Sequence, residues 1–201
     1  MSKRSLTGRR VAVLRVMFLA AIITLLVPWQ PALAGQAGWD ALKNGTAFVI
    51  MRHALAPGTG DPDNFNVAEC STQRNLSDQG RQQARKTGDL FRSNGIADAE
   101  VWSSAWCRCR DTAQLLGLGT MQTLEPLNSF FRRQGRRDAQ TTALKNWLQA
   151  RTGEKPLVLV THQVNISALT GVFPQSGELI FVQMGADNSL QVIDRTGIAA
   201  Q

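Results

Sequence analysis

The stretch Phe48-Val49-Ile50-Met51-Arg52-His53 decides the predicted fold, because an apolar run ends abruptly in an arginine and a histidine. A run that is apolar on both faces is typical of a buried strand in a parallel sheet. The chain has one other histidine, His162, and it ends a similar apolar run, Leu157 to Thr161. Open α/β sheets place their functional sites just beyond the carboxyl ends of the strands. The sequence therefore predicts that both histidines lie at one rim of one sheet.

The rest of the chain alternates between strand-like and helix-like segments, which is typical of an α/β domain with a mainly parallel sheet. The last two predicted strands are separated by only five residues, so they can form an antiparallel hairpin at the edge of the sheet. The predicted strands are 47–51, 99–103, 121–124, 157–162, 178–184 and 190–193, and the predicted helices are 79–93, 105–116, 139–150 and 165–170, after one helical turn within 38–44.

The first 34 residues have the three parts of a secretory signal peptide. Five of the 22 Lys and Arg residues, and none of the 15 acidic residues, lie in the first fifteen positions. The apolar stretch from Val16 to Val27 is short for a membrane span, and Ala32-Leu33-Ala34 gives a small-x-small site before Gly35. We expect cleavage after Ala34, export to the periplasm or beyond, and no stable membrane association afterwards. An uncleaved membrane anchor is the alternative.

The net charge of +7 belongs mostly to this N-terminal segment. Without the first fifteen residues, the chain has 17 basic and 15 acidic residues. This balance gives little reason to expect a nucleic-acid partner. No internal repeat is visible, and residues 35–201 are expected to form a single domain.

Three cysteines, Cys70, Cys107 and Cys109, lie in the expected mature chain. One disulfide, from Cys70 to either Cys107 or Cys109, is expected in an oxidising compartment. A zinc site is the alternative interpretation, but both histidines are distant in sequence and a fourth thiolate does not exist.

His53 and its neighbours are candidates for phosphate chemistry. A neutral imidazole is a good nucleophile near neutral pH and forms covalent intermediates. The adjacent Arg52 offers a planar pair of donors for phosphate or carboxylate oxygens, and its charge disfavours imidazolium. His162 is placed to bind a phosphate oxygen or to orient the nucleophile. Each of these residues, taken singly, also has a purely structural interpretation.

A second signal lies in Ser103 to Ala113, where a predicted strand passes directly into a predicted helix. Arg108 lies in the first turn, close to the positive end of the helix dipole, where an anion binds favourably. Arg110 is its competitor, because two residues along a helix differ by about 200° and cannot both face one pocket.

Four motifs follow one another along about residues 48 to 169, most of the expected mature chain. They are Arg52-His53-Ala54, Leu76-Ser77-Asp78-Gln79-Gly80 with Gln83-Ala84, Ser104 and Arg108 with Thr112-Ala113, and Val160-Thr161-His162. In this order and spacing they resemble the motifs of the histidine phosphatase superfamily, in its phosphoglycerate mutase-like branch. The resemblance implies a three-layer α/β/α sandwich with a mainly parallel sheet, as in a small exported phosphatase.

The resemblance implies that His53 is the nucleophile that becomes phosphohistidine. Arg52, Arg108 and His162 then complete the phosphate pocket, which selects Arg108 over Arg110. No metal and no cofactor are implied, because the arginines balance the charge of the phosphate. Arg74 is a further phosphate-binding candidate, and pairing with a carboxylate is its alternative role.

The chain departs from the family pattern at the proton donor. Many members carry a glutamate after the third strand that protonates the leaving group. Ser129 stands about where this acid is expected, and Glu125 is the best substitute, followed by Asp138 and Glu178. The expected function is hydrolysis of phosphomonoesters or phosphoryl groups, on a small phosphorylated substrate or a phosphoprotein. The alternatives are a non-catalytic phospho-ligand-binding member of the fold and a phosphoglycerate mutase-type phosphotransferase, which needs a cytosolic substrate.

Three further predictions concern residues outside the motifs. The basic segment from Arg132 to Arg137 either steers anionic substrates or is simply an exposed loop. Asn165 is expected to cap a helix rather than to bind a ligand. The tryptophans at positions 102, 106 and 147 are expected to belong to the core.

Overall fold

The computed structural model describes residues 35–187 and 189–200, and the predicted signal segment, residues 1–34, lies outside the described residues. Helices and strands alternate along the described chain. The strands are β1 Ala47–Arg52, β2 Glu100–Ser103, β3 Met121–Thr123, β4 Leu157–Thr161, β5 Leu179–Met184 and β6 Leu190–Thr196. The α-helices are α1 Gln36–Lys43, α2 Asp78–Ser93, α3 Cys107–Leu116, α4 Arg137–Ala150 and α5 Gln163–Thr170, with short 3₁₀ turns at Cys70–Thr72, Glu125–Leu127 and Gln134–Arg136.

The strands form one mixed sheet in the order β3-β2-β4-β1-β5-β6. The pairs β1–β4, β4–β2 and β2–β3 are parallel, whereas β5 runs antiparallel to β1 and β6 runs antiparallel to β5. The predicted mainly parallel sheet with an edge hairpin is therefore confirmed. Arg52 at the end of β1 pairs in register with Thr161 at the end of β4. His53 and His162 thus leave two neighbouring central strands at the same level.

Alternate residues of each central strand enter two different apolar layers. Val49 and Met51 pack into the layer below α1, α2 and α3, together with Trp39, Phe91 and Leu116. Phe48 and Ile50 pack into the layer below α4 and α5, together with Leu144, Leu148 and Ile166. Full burial of one such side chain contributes about 1.5–3 kcal/mol to folding. Because both faces are covered, the central strands are apolar throughout, and the predicted three-layer sandwich is confirmed.

The motif that begins α2 shapes the segment that follows His53. The Ser77 hydroxyl accepts a hydrogen bond from the Gly80 amide at 3.1 Å and so caps the helix. Gln83 Oε1 accepts the amide of Leu55 at 2.9 Å, and the Ser77 amide donates to the Leu55 carbonyl at 3.1 Å. A methyl group on Gly80 would lie 2.0 Å from that same carbonyl oxygen, so this close approach requires glycine.

Several element boundaries differ from the sequence predictions. α1 has two turns instead of one, because Trp39 and Leu42 both reach the core. α3 begins at Cys107 rather than at Ala105, after an extended Trp106. The prediction that Asn165 caps a helix is wrong, since it is the third residue of α5 and its amide nitrogen donates to the carbonyls of Pro126 and Asn128.

No helix over the described ranges combines the length and the apolar character that crossing a bilayer takes. Trp102 and Trp147 pack edge to face, with ring centroids 5.1 Å apart, against the layer below α4 and α5. Their predicted place in the core is confirmed, although each is only partly buried.

Candidate active site

A cavity of about 780 Å³ opens at the rim where β1, β4 and β2 end. Five of the sequence-predicted site residues line this cavity: Arg52, His53, Arg74, Arg108 and His162. They come from the ends of β1 and β4, from the first turn of α3, and from the loop before α2. The rings of His53 and His162 have their centroids 5.5 Å apart. Segments distant along the chain therefore converge on one small space.

The His53 ring is held as a neutral imidazole with one nitrogen available. Its side chain is buried, and Nδ1 lies 2.8 Å from the carbonyl oxygen of Ala54. A carbonyl only accepts hydrogen bonds, so Nδ1 carries the hydrogen and Nε2 keeps a free lone pair. Burial, with the charges of Arg108, Arg74 and Arg52, lowers the pKa of His53 well below its usual value. The ring is therefore suited to nucleophilic attack.

His162 is fixed by a chain of hydrogen bonds that continues into β2. Arg108 Nη2 lies 3.4 Å from Nδ1 and can only donate, so Nε2 carries the hydrogen and donates to Ser104 Oγ at 2.8 Å. Ser104 Oγ in turn donates to Asn128 Oδ1 at 3.3 Å. Burial, followed by the charge of Arg108, lowers the pKa of His162 well below its usual value, so this ring is also neutral.

Arg108 is the buried cation at the centre of the site, with only 3% of its side chain exposed. Nη1 and Nη2 bind the two carboxylate oxygens of Asp61, at 2.6 and 3.3 Å. Its Nε is buried and makes no hydrogen bond within the described chain. A buried donor without a partner is costly, so this edge of the guanidinium is suited to an anion.

Asp61 is a site residue that the sequence analysis missed. Besides both nitrogens of Arg108, its carboxylate accepts the amide of Arg74 and the indole N–H of Trp106, each at 3.1 Å. Burial opposes ionisation, but the hydrogen bonds and charge of Arg108 outweigh it and lower the pKa of Asp61. Asp61 lies in the irregular segment 57–66, whose Gly, Pro and Asp composition is typical of a loop and gives no signal for a buried carboxylate.

Arg52 and Arg74 add two further positive charges. Arg52 donates from Nη1 to the Pro174 carbonyl at 3.2 Å, and its Nε is buried without a partner among the described residues. Arg74 binds the carbonyls of Gly60 and Ala56, and burial with the charge of Arg108 lowers its pKa to about 10. Both guanidinium groups stay charged at neutral pH, and both line the cavity.

The expected proton donor is not brought to the cavity. Glu125 lies in an exposed 3₁₀ turn, where its carboxylate pairs with Arg136 at 2.5 Å. Asp138 is exposed on α4, and Glu178 pairs with Arg195 at 2.8 Å. Ser129 does line the cavity. Among the described residues, Asp61 and Asp63 are the only acidic residues that line it.

Trp106 packs against the apolar layer below α1, α2 and α3, so its predicted place at the core is confirmed, but it also forms part of the cavity wall. It is half-buried in the wall of the cavity, where it stacks on Phe65 with ring centroids 5.1 Å apart and an interplanar angle of 22°. Its indole N–H is committed to Asp61, which requires a position beside the charged groups. Its other neighbour is the His162 ring, at 5.4 Å between centroids.

The cysteines form one disulfide, Cys70–Cys107, with Cα atoms 5.7 Å apart. Of the two pairings left open by the sequence, the structure thus shows Cys107 as the partner. The disulfide links the segment before Arg74 to the first residue of α3, directly before Arg108. Cys109 is a buried thiol whose pKa burial raises to about 12. Within the part of the chain that the structure describes, no three His, Cys, Asp or Glu side chains form a group that could hold a metal ion.

Comparisons with solved structures identify the fold. One match is the protein histidine phosphatase SixA in complex with tungstate, at 15% identity and a TM-score of 0.57, covering 75% of this chain and 96% of that chain. Another is a mycobacterial glucosyl-3-phosphoglycerate phosphatase in complex with inorganic phosphate, at 16% identity and a TM-score of 0.52, covering 77% and 96%. At these identities the comparison shows the phosphoglycerate mutase-like fold alone.

A comparison with curated protein sequences finds no match. The family model of the histidine phosphatase superfamily, branch 1, matches residues 48–130, which include the end of β1, the motif before α2 and the start of α3. Over this range, which is less than half of the chain, the sequence is similar to that superfamily.

Proposed function

We propose that the protein is a phosphohydrolase that cleaves phosphomonoesters, or other phosphoryl groups, through a phosphohistidine intermediate on His53. The observation that carries this proposal is the state of the His53 ring. It is buried and neutral, with Nδ1 bound to the Ala54 carbonyl, so that the Nε2 lone pair remains free beside three guanidinium groups. This arrangement combines a nucleophile with fixed positive charge where phosphoryl oxygens would lie.

The reaction has two in-line steps. In the first, the Nε2 lone pair attacks phosphorus, and the electron pair of the broken P–O or P–N bond leaves with the oxygen or nitrogen of the leaving group. In the second, water attacks the phosphohistidine, releases inorganic phosphate, and returns the lone pair to Nε2. Arg52 and Arg108 stabilise the charge on the equatorial oxygens in both transition states. The Nδ1–H donated to Ala54 stabilises the positive charge that the ring gains on phosphorylation.

His162 supports this pocket through its protonation state. With Arg108 donating to Nδ1, the neutral ring has no hydrogen on that nitrogen to offer to an anion. A bound phosphate dianion stabilises the imidazolium form and so favours a proton there. We therefore propose that His162 gains a proton when phosphate binds and then donates to an equatorial oxygen.

The leaving group receives no proton from a carboxylic acid of the kind that many family members use. Glu125 lies outside the cavity, and Asp61 is ionised and committed to Arg108. We therefore propose substrates whose leaving group departs readily without a strong general acid. Aryl phosphates and phosphoryl groups on nitrogen, in a small molecule or a phosphoprotein, fit this requirement.

The same observation favours a second candidate function. A chain that binds phosphate without a general acid could act as a non-catalytic binder of phosphorylated ligands. The two functions differ in turnover, so purified protein is incubated with p-nitrophenyl phosphate and with radiolabelled phosphoramidate, beside the variant His53→Ala. Turnover, or an acid-labile and base-stable label that the variant lacks, supports the enzyme. Binding of phosphate with neither outcome supports the binder.

We also propose that the reaction needs no metal ion, since arginines supply the positive charge at the site. Turnover that persists after treatment with a chelator is the expected result. Export is a further proposal, supported by the signal-like pattern of residues 1–34 and by a disulfide, which is typical of oxidising compartments. N-terminal sequencing of the exported form should begin near Gly35, and an intact Met1 would contradict it.

A further inference from the structure

The cavity carries more positive charge than one phosphoryl group requires. Six arginines and two aspartates are the charged residues that line it among the described residues. In the inner part, Arg52, Arg74 and Arg108 against Asp61 leave a surplus of two positive charges. That surplus matches a phosphomonoester, which carries about −1.5 to −2 at pH 7. The other arginines therefore have no role in balancing the scissile group.

Those other arginines form one exposed border of the cavity, the rim arginines Arg132, Arg133 and Arg136. Arg132 donates to the Asp61 backbone carbonyl at 2.5 Å and lies 3.5 Å from the Asp63 carboxylate. Arg136 is paired with Glu125. Arg133 makes no side-chain hydrogen bond or ion pair with any described residue. The rim therefore keeps an uncompensated positive charge that faces the cavity.

Apolar side chains lie beside these charges. The large apolar side chains that are exposed among the described residues are Val67, Phe131 and Phe173, and the first two line this cavity. Phe131 is 47% exposed, and the stacked pair of Phe65 and Trp106 lines the same space. Exposed apolar surface that is concentrated at a concave site is typical of ligand binding.

The size of the cavity agrees with a ligand that reaches both parts. Its volume of about 780 Å³ lies within the range of pockets that bind whole small molecules, about 300–1,000 Å³. We propose that the substrate carries a second anionic group, joined to the scissile phosphoryl group by a body with an apolar face, and that Arg133 with Arg132 binds this second group. This proposal rests on the proposed function and names the substrate class for the same site.

Two synthetic substrates with the same type of leaving group test it. 4-(2-Hydroxyethyl)phenyl phosphate and 4-(2-phosphonoethyl)phenyl phosphate differ in the second anion, which two methylene groups insulate from the phenolic oxygen. We expect kcat/KM to be roughly tenfold higher for the phosphonoethyl compound, mainly through a lower KM, as exposed charge pairs contribute a few-fold each. This ratio should fall with added salt.

The variant Arg133→Ala should lower the ratio between the two compounds to about two, and Arg133→Lys should keep most of it, because the charge remains. Arg137→Ala is the matched control, since Arg137 is exposed in the same segment but does not line the cavity. Equal kcat/KM for both compounds in the unmodified protein would overturn the proposal. An equal loss in Arg137→Ala would overturn it as well, because the effect would then come from general surface charge.

If neither compound is turned over, the proposed function fails, and the second anion site is tested by binding alone. Calorimetry then compares the two analogues in which a methylene replaces the ester oxygen, so that neither can be hydrolysed. Roughly tenfold tighter binding of the analogue with two anionic groups supports the site, and equal affinity overturns it.

Discussion

The inner pocket and the rim of the same cavity are built in different ways. In the inner pocket, His53, Arg108 and His162 are each at most 4% exposed, and strand ends and a helix start hold them. At the rim, the side chains of Arg132 and Arg136 are 54% and 48% exposed and belong to a turn and a short 3₁₀ helix. Buried groups with fixed partners suit a reaction that any phosphoryl group undergoes. Exposed groups outside the core can change without disturbing the fold, which suits the proposed binding of a second anionic group at the rim.

The largest expected effect comes from removing the proposed nucleophile, His53, in the inner pocket. His53→Ala should lower turnover by at least about a thousandfold, because no other side chain offers a free ring nitrogen at that position. The variant should also lose the acid-labile phosphoryl label. Circular dichroism on heating serves as the control for folding. Residual turnover within tenfold of the original protein would contradict the assignment of His53.

Arg108 and Arg110 compare an arginine that lines the cavity with a nearby one that does not. Arg108→Ala should lower kcat/KM by about 10²–10³-fold, because it removes a fixed donor to the transition state. It should also lower the free energy of unfolding by about 1–3 kcal/mol, since Asp61 loses its charged partner. Arg110→Ala is the matched control and should change neither quantity, as Arg110 does not line the cavity. Equal effects of the two variants on activity would contradict the geometry.

Removing the disulfide tests how strongly the stability of the fold and the activity of the inner pocket depend on the covalent link between Cys70 and Cys107. Replacing Cys70 and Cys107 by serine should lower the free energy of unfolding by about 2–4 kcal/mol, because the unfolded chain loses a constraint over 37 residues. Activity should fall too, since Cys107 directly precedes Arg108. Denaturant unfolding with and without dithiothreitol measures the first effect. The double variant is the control, because the reductant should not change it further.

Lowering the pH should destabilise the fold through the two buried histidines of the inner pocket. The rim arginines should make no contribution, because they stay protonated in this range. Both histidines have folded-state pKa values well below the usual 6.5, so below about pH 6.5 the unfolded chain binds more protons than the folded one. The free energy of unfolding should therefore decrease as the pH falls from about 7.5 to 5.5, by about 1–3 kcal/mol in total.

Denaturant titrations at these pH values measure the decrease. The lowered pKa of Asp61 adds a further loss only below about pH 4, outside this window. The double variant His53→Gln with His162→Gln should show a flatter profile. A free energy of unfolding that stays constant or rises toward pH 5.5 in the original protein would contradict the burial of two neutral rings.

The sequence predicts the parts of the site that lie on regular elements. Strand ends of a parallel sheet meet at one edge, so two histidines after two apolar runs could be placed together, and helical spacing separated Arg108 from Arg110. Asp61 and the contribution of Trp106 to the cavity wall escaped prediction, because both depend on contacts between residues far apart along the chain. Glu125 was predicted as a site residue but does not line the cavity. It lies in a 3₁₀ turn that directs its carboxylate toward solvent, where it pairs with Arg136.

The close approach of Gly80 to the Leu55 carbonyl has a consequence for any survey of inactivating substitutions. Position 80 does not line the cavity, yet a methyl group there would push on the backbone two residues after His53. A random library screened for loss of turnover should therefore yield alanine at position 80, with lower activity and a lower free energy of unfolding. This sensitivity arises because α2 contacts the backbone that follows His53. Substitutions in a helix that does not line the cavity therefore lower the activity.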